Sequence, residues 1–195
     1  MINRRNFLAT SVAAIGMPAV VQARHRNLDP EAFEPVEVRL KADFPPSELH
    51  VDPNTYRLYW TLPDRKAIRY SVGVGRLGLY EAGTFYVGRK AKWPSWRPTD
   101  AMIEREPEVY EKYADGVPGG IDNPLGARAL YLYYVGTKRD SYLRIHGTSD
   151  PGTIGHAVSN GCARLTNEHI TELYERVPIG TKVVLYPRQF VEQSS

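Results

Sequence analysis

The sequence holds only one cysteine, Cys162, among 195 residues, so no disulfide can form within the chain. It also lacks a strong charge of either sign, because 25 lysines and arginines face 22 aspartates and glutamates, for a formal net charge of +3. A nearly balanced surface argues against nucleic acid as the main partner. Internal repeats and low-complexity tracts are missing too, and the length suits one domain with a substantial core.

Long hydrophobic runs are also missing. The mildly apolar stretch over residues 9–21 is shorter than the ~20 residues that a membrane-spanning helix needs. Arg4 and Arg5 precede it, and residues 21–23 (Val-Gln-Ala) place small side chains where a signal peptidase reads. Residues 1–23 therefore predict a cleaved export signal of the twin-arginine type, the alternative being an ordinary secretory signal. We expect a periplasmic protein without a transmembrane segment once the signal is removed.

Strand patterns dominate the rest of the chain. Residues 24–44 are interpreted as a polar lead-in segment, residues 45–187 as the domain, and residues 188–195 as a tail. Alternating apolar and polar residues, many of them tyrosine, predict strands at 36–40, 48–52, 55–62, 67–75, 83–93, 129–135, 142–147 and 181–187. The sequence thus predicts a mainly β domain, with a mixed or barrel-like sheet favoured over a sandwich.

Two segments interrupt the strands. Residues 94–128 form a long connection, helical in part from Asp100 onward, and connections of this length are often functional. Residues 166–177 predict one helix, because apolar side chains recur there at helical spacing. Asn167 is the expected N-cap of that helix.

The single thiol allows two interpretations. Cys162 could be a buried small hydrophobe, which is the commonest role of a lone cysteine. An unpaired cysteine in an exported protein is instead typical of a reactive thiol, which needs a base to form the thiolate. His146 ends a predicted strand, where its ring can face a cleft, whereas His156 is closer in sequence but lies in a predicted loop. The spacing of His146, His156 and Cys162 matches no common zinc site, so we expect no metal.

The stretch "IHGTSDPGTIGHAVSNGCARLTN" (145–167) resembles the active-site signature of L,D-transpeptidase catalytic domains, the YkuD-type family. The matching positions are His146-Gly147-Thr148, Ile154-Gly155, Ser159-Asn160-Gly161-Cys162-Ala163-Arg164 and Asn167. Flanking segments extend the resemblance to roughly residues 45–187. One departure is Asn160, where many relatives carry histidine.

The resemblance implies a β-rich, barrel-like or sandwich-like sheet with a short helix after the nucleophile. It also implies acyl transfer on peptidoglycan stem peptides, as in cell-wall biogenesis, without a cofactor. Cys162 would attack the carbonyl of the third stem residue, expel the terminal D-alanine and hold the acyl group as a thioester until an amine of a second stem attacks. His146 would take up and return the proton.

The remaining site residues are expected to bind substrate or the oxyanion. Backbone N–H groups around Gly161 and Cys162 are the expected oxyanion donors. Arg164 lies two residues after Cys162, on the same face of an extended segment, and could bind a substrate carboxylate; the alternative is a surface arginine. Ser159 is expected to stabilise the loop by hydrogen bonding. Gly147, Thr148 and Asn160 complete the residues expected to bind substrate or the oxyanion.

Three other functions stay open on the sequence alone. The same thiol could pass the acyl group to water, as an L,D-carboxypeptidase does, depending on how well the acceptor site excludes water. The acceptor could also be a protein amine, which would attach an envelope protein to the wall. A non-catalytic wall-binding module is disfavoured, because binding alone needs neither His146 nor Cys162.

Overall fold

The computed structural model describes residues 33–189. The predicted export signal (1–23), residues 24–32 of the lead-in segment and residues 190–195 of the tail lie outside this range. Within residues 33–189, no helix is long and apolar enough to cross a membrane.

The described part of the chain is built mainly of strands. They are β1 (Val36–Arg39), β2 (Leu49–Asp52), β3 (Arg57–Leu62), β4 (Lys66–Ser71), β5 (Val74–Gly75), β6 (Gly83–Lys92), β7 (Arg128–Tyr134), β8 (Asp140–His146), β9 (Ala157–Ser159), β10 (Ala163–Arg164) and β11 (Lys182–Leu185). The helices are α1 (Asp100–Arg105), α2 (Pro107–Tyr110) and α3 (Asn167–Arg176). Most strands lie where alternation predicts them, but β9 occupies a segment interpreted as loop.

The strands form one large mixed sheet and one small pair. The large sheet has the order β1-β4-β3-β2-β11-β6-β7-β8-β10, and β5 pairs with β9. Most neighbours are antiparallel, whereas β11 runs parallel to β2 and β10 runs parallel to β8. Gly73, which follows β4, exchanges two backbone hydrogen bonds of 2.9 and 2.8 Å with Arg164 in β10. The segment that extends β4 therefore meets the edge strand β10, and the predicted mainly β, barrel-like class is confirmed.

Helix α3 covers the sheet beside β7 and β8. Its buried side chains are His169, Ile170, Leu173 and Tyr174. The predicted helix is confirmed, but its predicted N-cap is wrong. Thr166 is the N-cap, since its side chain accepts a hydrogen bond of 3.2 Å from the backbone N–H of His169. Asn167 instead accepts a 2.8 Å hydrogen bond from the Ala127 N–H, which ties the start of the helix to the segment before β7.

Candidate active site

Strands β8 and β10 bring the predicted catalytic residues to one face of the sheet. Their parallel register pairs Ala163 with Ile145 and Arg164 with His146. Ala163 and Ile145 point into the core, with 4% and 0% exposure. Because side chains alternate across a strand, His146 and Arg164 face the opposite side, and Cys162 shares that side.

A cleft of about 1120 Å³ opens on this side of the sheet. It is lined by five of the predicted site residues: His146, Ser159, Asn160, Cys162 and Arg164. Part of the facing wall comes from the long connection, which contributes Trp96, Tyr110 and Tyr113. The other three predicted residues, Gly147, Thr148 and Gly161, lie beside the cleft without lining it.

His146 is held in one tautomer. Its ring is 3% exposed, and Nδ1 lies 2.5 Å from the carbonyl oxygen of Gly147. A carbonyl only accepts hydrogen bonds, so Nδ1 carries the proton and Nε2 keeps its lone pair. Burial, followed by the nearby charge of Arg164, lowers the pKa of His146 to about 3. The imidazole is therefore neutral at physiological pH, with Nε2 unprotonated.

Gly147, whose carbonyl oxygen accepts the hydrogen bond from His146, has no room for a side chain. A Cβ at Gly147 would lie 2.3 Å from Oδ1 of Asn167. Thr148, which is 4% exposed, accepts a 3.0 Å hydrogen bond from the Asp150 N–H on its Oγ1. Both residues thus fix the turn that follows β8 and hold His146 in position.

Cys162 is a free thiol, partly exposed to the cleft yet closely surrounded by protein atoms. Burial raises the pKa of this thiol, while the charge and backbone N–H of Arg144 and the charge of Arg164 act to lower it. Because the imidazole of His146 is neutral too, the resting site holds a thiol and an uncharged base rather than an ion pair.

Arg144 is the site residue that sequence analysis missed. It lies on β8 two residues before His146 and lines the same cleft. Asp140 binds its guanidinium through two contacts of 2.6 and 2.8 Å, and the Tyr131 ring centroid lies 4.1 Å from it. The alternation of "RIH" could have revealed it, since Arg144 and His146 share a face.

The loop before the nucleophile is held by Ser159. Its hydroxyl donates to the carbonyl oxygen of Cys162 at 2.6 Å and accepts from the Gly161 N–H at 3.3 Å. The Cys162 N–H has no backbone acceptor within residues 33–189. Of the two expected oxyanion donors, Gly161 is therefore engaged inside the loop and Cys162 is available.

Gly161 lies where other residues fit poorly. Its φ of 119° is unfavourable for an L side chain, and a Cβ would lie 2.9 Å from the carbonyl oxygen of Leu79. We expect Gly161→Ala to lower the free energy of unfolding by about 2–4 kcal/mol, from strain plus contact. It should also slow acylation of Cys162, because the loop carrying the sulfur must shift.

The matched control is Gly78→Ala. Gly78 also has a positive φ, 82°, but a Cβ added there would have no described heavy atom within 4 Å. Urea unfolding of both variants separates backbone strain from steric contact. Equal losses of unfolding free energy in the two variants would contradict the tight contact at Gly161.

Asn160 joins the nucleophile loop to the long connection. Its Oδ1 accepts a 2.8 Å hydrogen bond from Nη2 of Arg105, and its Nδ2 donates a 2.7 Å bond to the Tyr110 hydroxyl. Arg105 ends α1 and Tyr110 ends α2. The amide is thus engaged by the connection, which leaves it little hydrogen-bonding capacity for a substrate.

Arg164 presents an uncompensated charge to the cleft. Within residues 33–189 no carboxylate pairs with it, and its buried Nε has no hydrogen-bond partner. Burial lowers the pKa of the guanidinium, but arginine still carries its charge at neutral pH. An anionic group entering the cleft beside Cys162 would satisfy this guanidinium.

The two shifted pKa values predict the pH dependence of thiol reactivity. We expect the rate of Cys162 alkylation by iodoacetamide to keep rising with pH through the alkaline range, because burial raises the pKa of the thiol and the thiolate is the reactive form. No inflection should occur near pH 6.5, because His146 stays neutral down to about pH 3. A rate that reaches its plateau by neutral pH, with an acid limb near 6.5, would instead indicate a thiolate–imidazolium pair.

Comparison with known proteins assigns this architecture to a family. Residues 46–185 match the family model of the L,D-transpeptidase catalytic domain, YkuD. The probable L,D-transpeptidase YbiS of Escherichia coli K12 is 37% identical over 137 residues, which are 69% of this chain and 41% of that protein. The probable L,D-transpeptidase ErfK/SrfK of the same strain is 36% identical over 130 residues, 65% of this chain and 40% of that protein. The chain thus matches about two-fifths of the length of these relatives.

Solved structures share the fold. The structure of the Ldtfm–avibactam carbamoyl enzyme has a TM-score of 0.54 at 17% identity and covers 75% of this chain and 51% of that one. A crystal structure from Brucella melitensis has a TM-score of 0.55 at 42% identity and covers 82% of this chain and 96% of that one. The latter is described as a probable carnitine operon oxidoreductase.

Many oxidoreductases bind a dinucleotide, and the glycines at 73, 75 and 78 have the spacing of a dinucleotide-binding fingerprint. That fingerprint needs a helix directly after the glycines, so that the helix N-terminus can hold the pyrophosphate. Here the glycines lie between β4 and β6, and no helix follows them before β6. Gly73 and Gly75 instead lie close to the backbone of Thr153 and of Gly161. Their role in this fold is therefore close packing against the loops around the nucleophile.

Proposed function

The chain belongs to the family of L,D-transpeptidase catalytic domains, and from this membership we propose that it cross-links peptidoglycan stem peptides through a thioester on Cys162. One observation carries the proposal: Cys162, directly before β10, and a neutral His146, at the end of the neighbouring strand β8, line the same cleft. The family membership supplies the substrate class, and the geometry supplies the proposed roles.

The first half-reaction forms the thioester. His146 Nε2 takes the proton of the Cys162 thiol as the sulfur attacks the carbonyl carbon of the third stem residue, usually meso-diaminopimelate. The Cys162 N–H donates to the oxygen that becomes negative, a contact worth on the order of 3 kcal/mol in comparable sites. Collapse of the tetrahedral intermediate breaks the peptide bond, and the imidazolium gives its proton to the departing amine of D-alanine.

The second half-reaction reverses the proton path. The amine of a neighbouring stem attacks the thioester, loses a proton to His146, and forms an amide between two third-position residues. The sulfur leaves as thiolate and regains its proton from the imidazolium. A base that is neutral at rest suits both halves, because it begins and ends each half able to accept a proton.

The other residues are assigned supporting roles. Arg164 binds a carboxylate of the donor stem near the scissile bond, which its unpaired charge favours. Ser159 and Gly161 shape the loop, Gly147 and Thr148 hold His146, and Asn160 ties the loop to the long connection. We place the reaction in the periplasm, in keeping with the export signal expected from residues 1–23.

Muropeptide analysis tests the proposal. Purified protein is incubated with disaccharide-tetrapeptide, and the products are separated and weighed by mass spectrometry. We expect dimers that lack one D-alanine and are linked between third-position residues, and none with Cys162→Ala. Shortened monomers alone would identify water as the acceptor and the protein as an L,D-carboxypeptidase. Products that form only when an envelope protein is added would identify a protein amine as the acceptor.

A further inference from the structure

Among residues 33–189, five arginines line the cleft: Arg89, Arg97, Arg105, Arg144 and Arg164. Three of them are paired with carboxylates: Arg97 with Asp100 at 3.0 Å, Arg105 with Glu106 at 3.3 Å, and Arg144 with Asp140 at 2.6 Å. Within residues 33–189, Arg89 and Arg164 have no carboxylate partner. The cleft therefore presents two uncompensated charges, and only Arg164 has a role in the proposed transpeptidase reaction.

Arg89 is held in a defined position by an aromatic ring. Its guanidinium carbon lies 3.5 Å from the centroid of the Tyr131 ring, and Arg144 lies 4.1 Å from the same centroid. Tyr131 is 5% exposed, so the ring is fixed between the two guanidinium groups. Stacking occupies one face of a guanidinium and leaves its N–H edges free, the arrangement that suits a planar carboxylate.

The strand pairing places Arg89, Tyr131 and Arg144 side by side on the neighbouring strands β6, β7 and β8, in the direction of Cys162. Arg89 pairs with Tyr131, and Tyr131 pairs with Arg144, which lines the cleft together with Cys162. Since the guanidinium of Arg89 lies over the Tyr131 ring on β7, it is about two strand spacings, roughly 10 Å, from β10.

A small side chain leaves room beside Arg89. Ala91, two residues further along β6 and on the same face, also lines the cleft. A peptide in the cleft can therefore approach the guanidinium of Arg89.

We propose that Arg89, stacked on Tyr131, binds a second carboxylate of the donor stem peptide, roughly 10 Å from the scissile bond. The inference rests on the proposed function and extends it to substrate selection. A stem peptide offers two such groups, the free carboxylate of the second residue and the side-chain carboxylate of the third. Amidation of either group removes its charge, so Arg89 selects stems that are not amidated at the position it binds.

Binding measurements test the subsite without requiring turnover. Tetrapeptides that are unmodified, amidated at the second residue or amidated at the third are titrated calorimetrically into Cys162→Ala protein, with and without Arg89→Gln. We expect Arg89→Gln to raise the Kd of the unmodified peptide about tenfold. We expect one of the two amidations to cause the same loss, and to cause no further loss in Arg89→Gln protein. The amidation that behaves in this way identifies the carboxylate.

The matched control is Arg139→Gln. Arg139 is likewise exposed and stacked on a tyrosine, 4.4 Å from the Tyr134 centroid, but it does not line the cleft. Its variant should bind like the parent. An unchanged Kd in Arg89→Gln, or losses from mutation and amidation that simply add, would overturn the subsite while leaving the transpeptidase proposal intact. Failure of every peptide to bind or to acylate wild-type protein would overturn both.

Discussion

Cys162→Ala is expected to reduce acyl transfer by on the order of 10⁴-fold or more, because it removes the nucleophile itself. The fold should survive, since alanine is smaller than cysteine, the side chain is partly exposed, and it forms no disulfide. The variant is compared with wild type by product formation from disaccharide-tetrapeptide and by thermal unfolding.

A covalent probe gives an independent measure of the same residue. Because the sequence contains only one cysteine, any thiol adduct must lie on Cys162. We expect a carbapenem to increase the intact mass of wild-type protein and to leave Cys162→Ala unchanged. Turnover by a well-folded Cys162→Ala protein would rule out covalent catalysis by this thiol.

His146→Gln is expected to lower the rate of acylation by about 10²–10⁴-fold, the usual contribution of a positioned general base. Glutamine preserves much of the volume and can still donate to the Gly147 carbonyl, but it cannot accept the thiol proton at an imidazole nitrogen. Single-turnover acylation kinetics with a tetrapeptide donor measure the effect. A donor with an activated ester should lose less, because its leaving group needs no proton.

The control is His156→Gln. His156 is closer to Cys162 in sequence, but it is exposed and does not line the cleft. Its variant should acylate at the wild-type rate. A comparable loss from His156→Gln would remove His146 as the proton acceptor. A loss from His146→Gln that is equally large with the activated ester would remove it as the proton donor to the leaving group.

Local patterns were sufficient to predict most of the face that carries the site. Alternation after the cysteine placed Arg164 on the face of Cys162. The same alternation along β8 puts Arg144 beside His146, but Arg144 was not among the predicted site residues. The helix after the nucleophile was predicted for the same reason, since its apolar side chains recur at helical spacing. Its N-cap was predicted one residue too late, because threonine and asparagine both cap helices and the choice depended on a contact with Ala127.

Contacts between distant segments could not be predicted in this way. Asn160 is bonded to Arg105 and Tyr110, 55 and 50 residues away, and only the path of the long connection brings them together. The same holds for Tyr131, which lies between two arginines from different strands. Strand β9 has three residues, too few for an alternating pattern to stand out.

The neutral state of the thiol–histidine pair also depends on tertiary structure. Sequence motifs place a base near a nucleophile, but burial and the charges of Arg144 and Arg164 decide the protonation states. This geometry favours proton transfer at the moment of attack over a thiolate formed in advance. Because the sulfur is protonated between turnovers, little thiolate is exposed to water.

The most direct test of the account is the intact mass of the purified protein mixed with a tetrapeptide stem and quenched in acid within one turnover. The account predicts an added mass equal to the stem minus one alanine, located on the peptide that contains Cys162 and released by hydroxylamine. A wild-type protein that forms products without ever carrying this mass, or an equal adduct on Cys162→Ala, would contradict it.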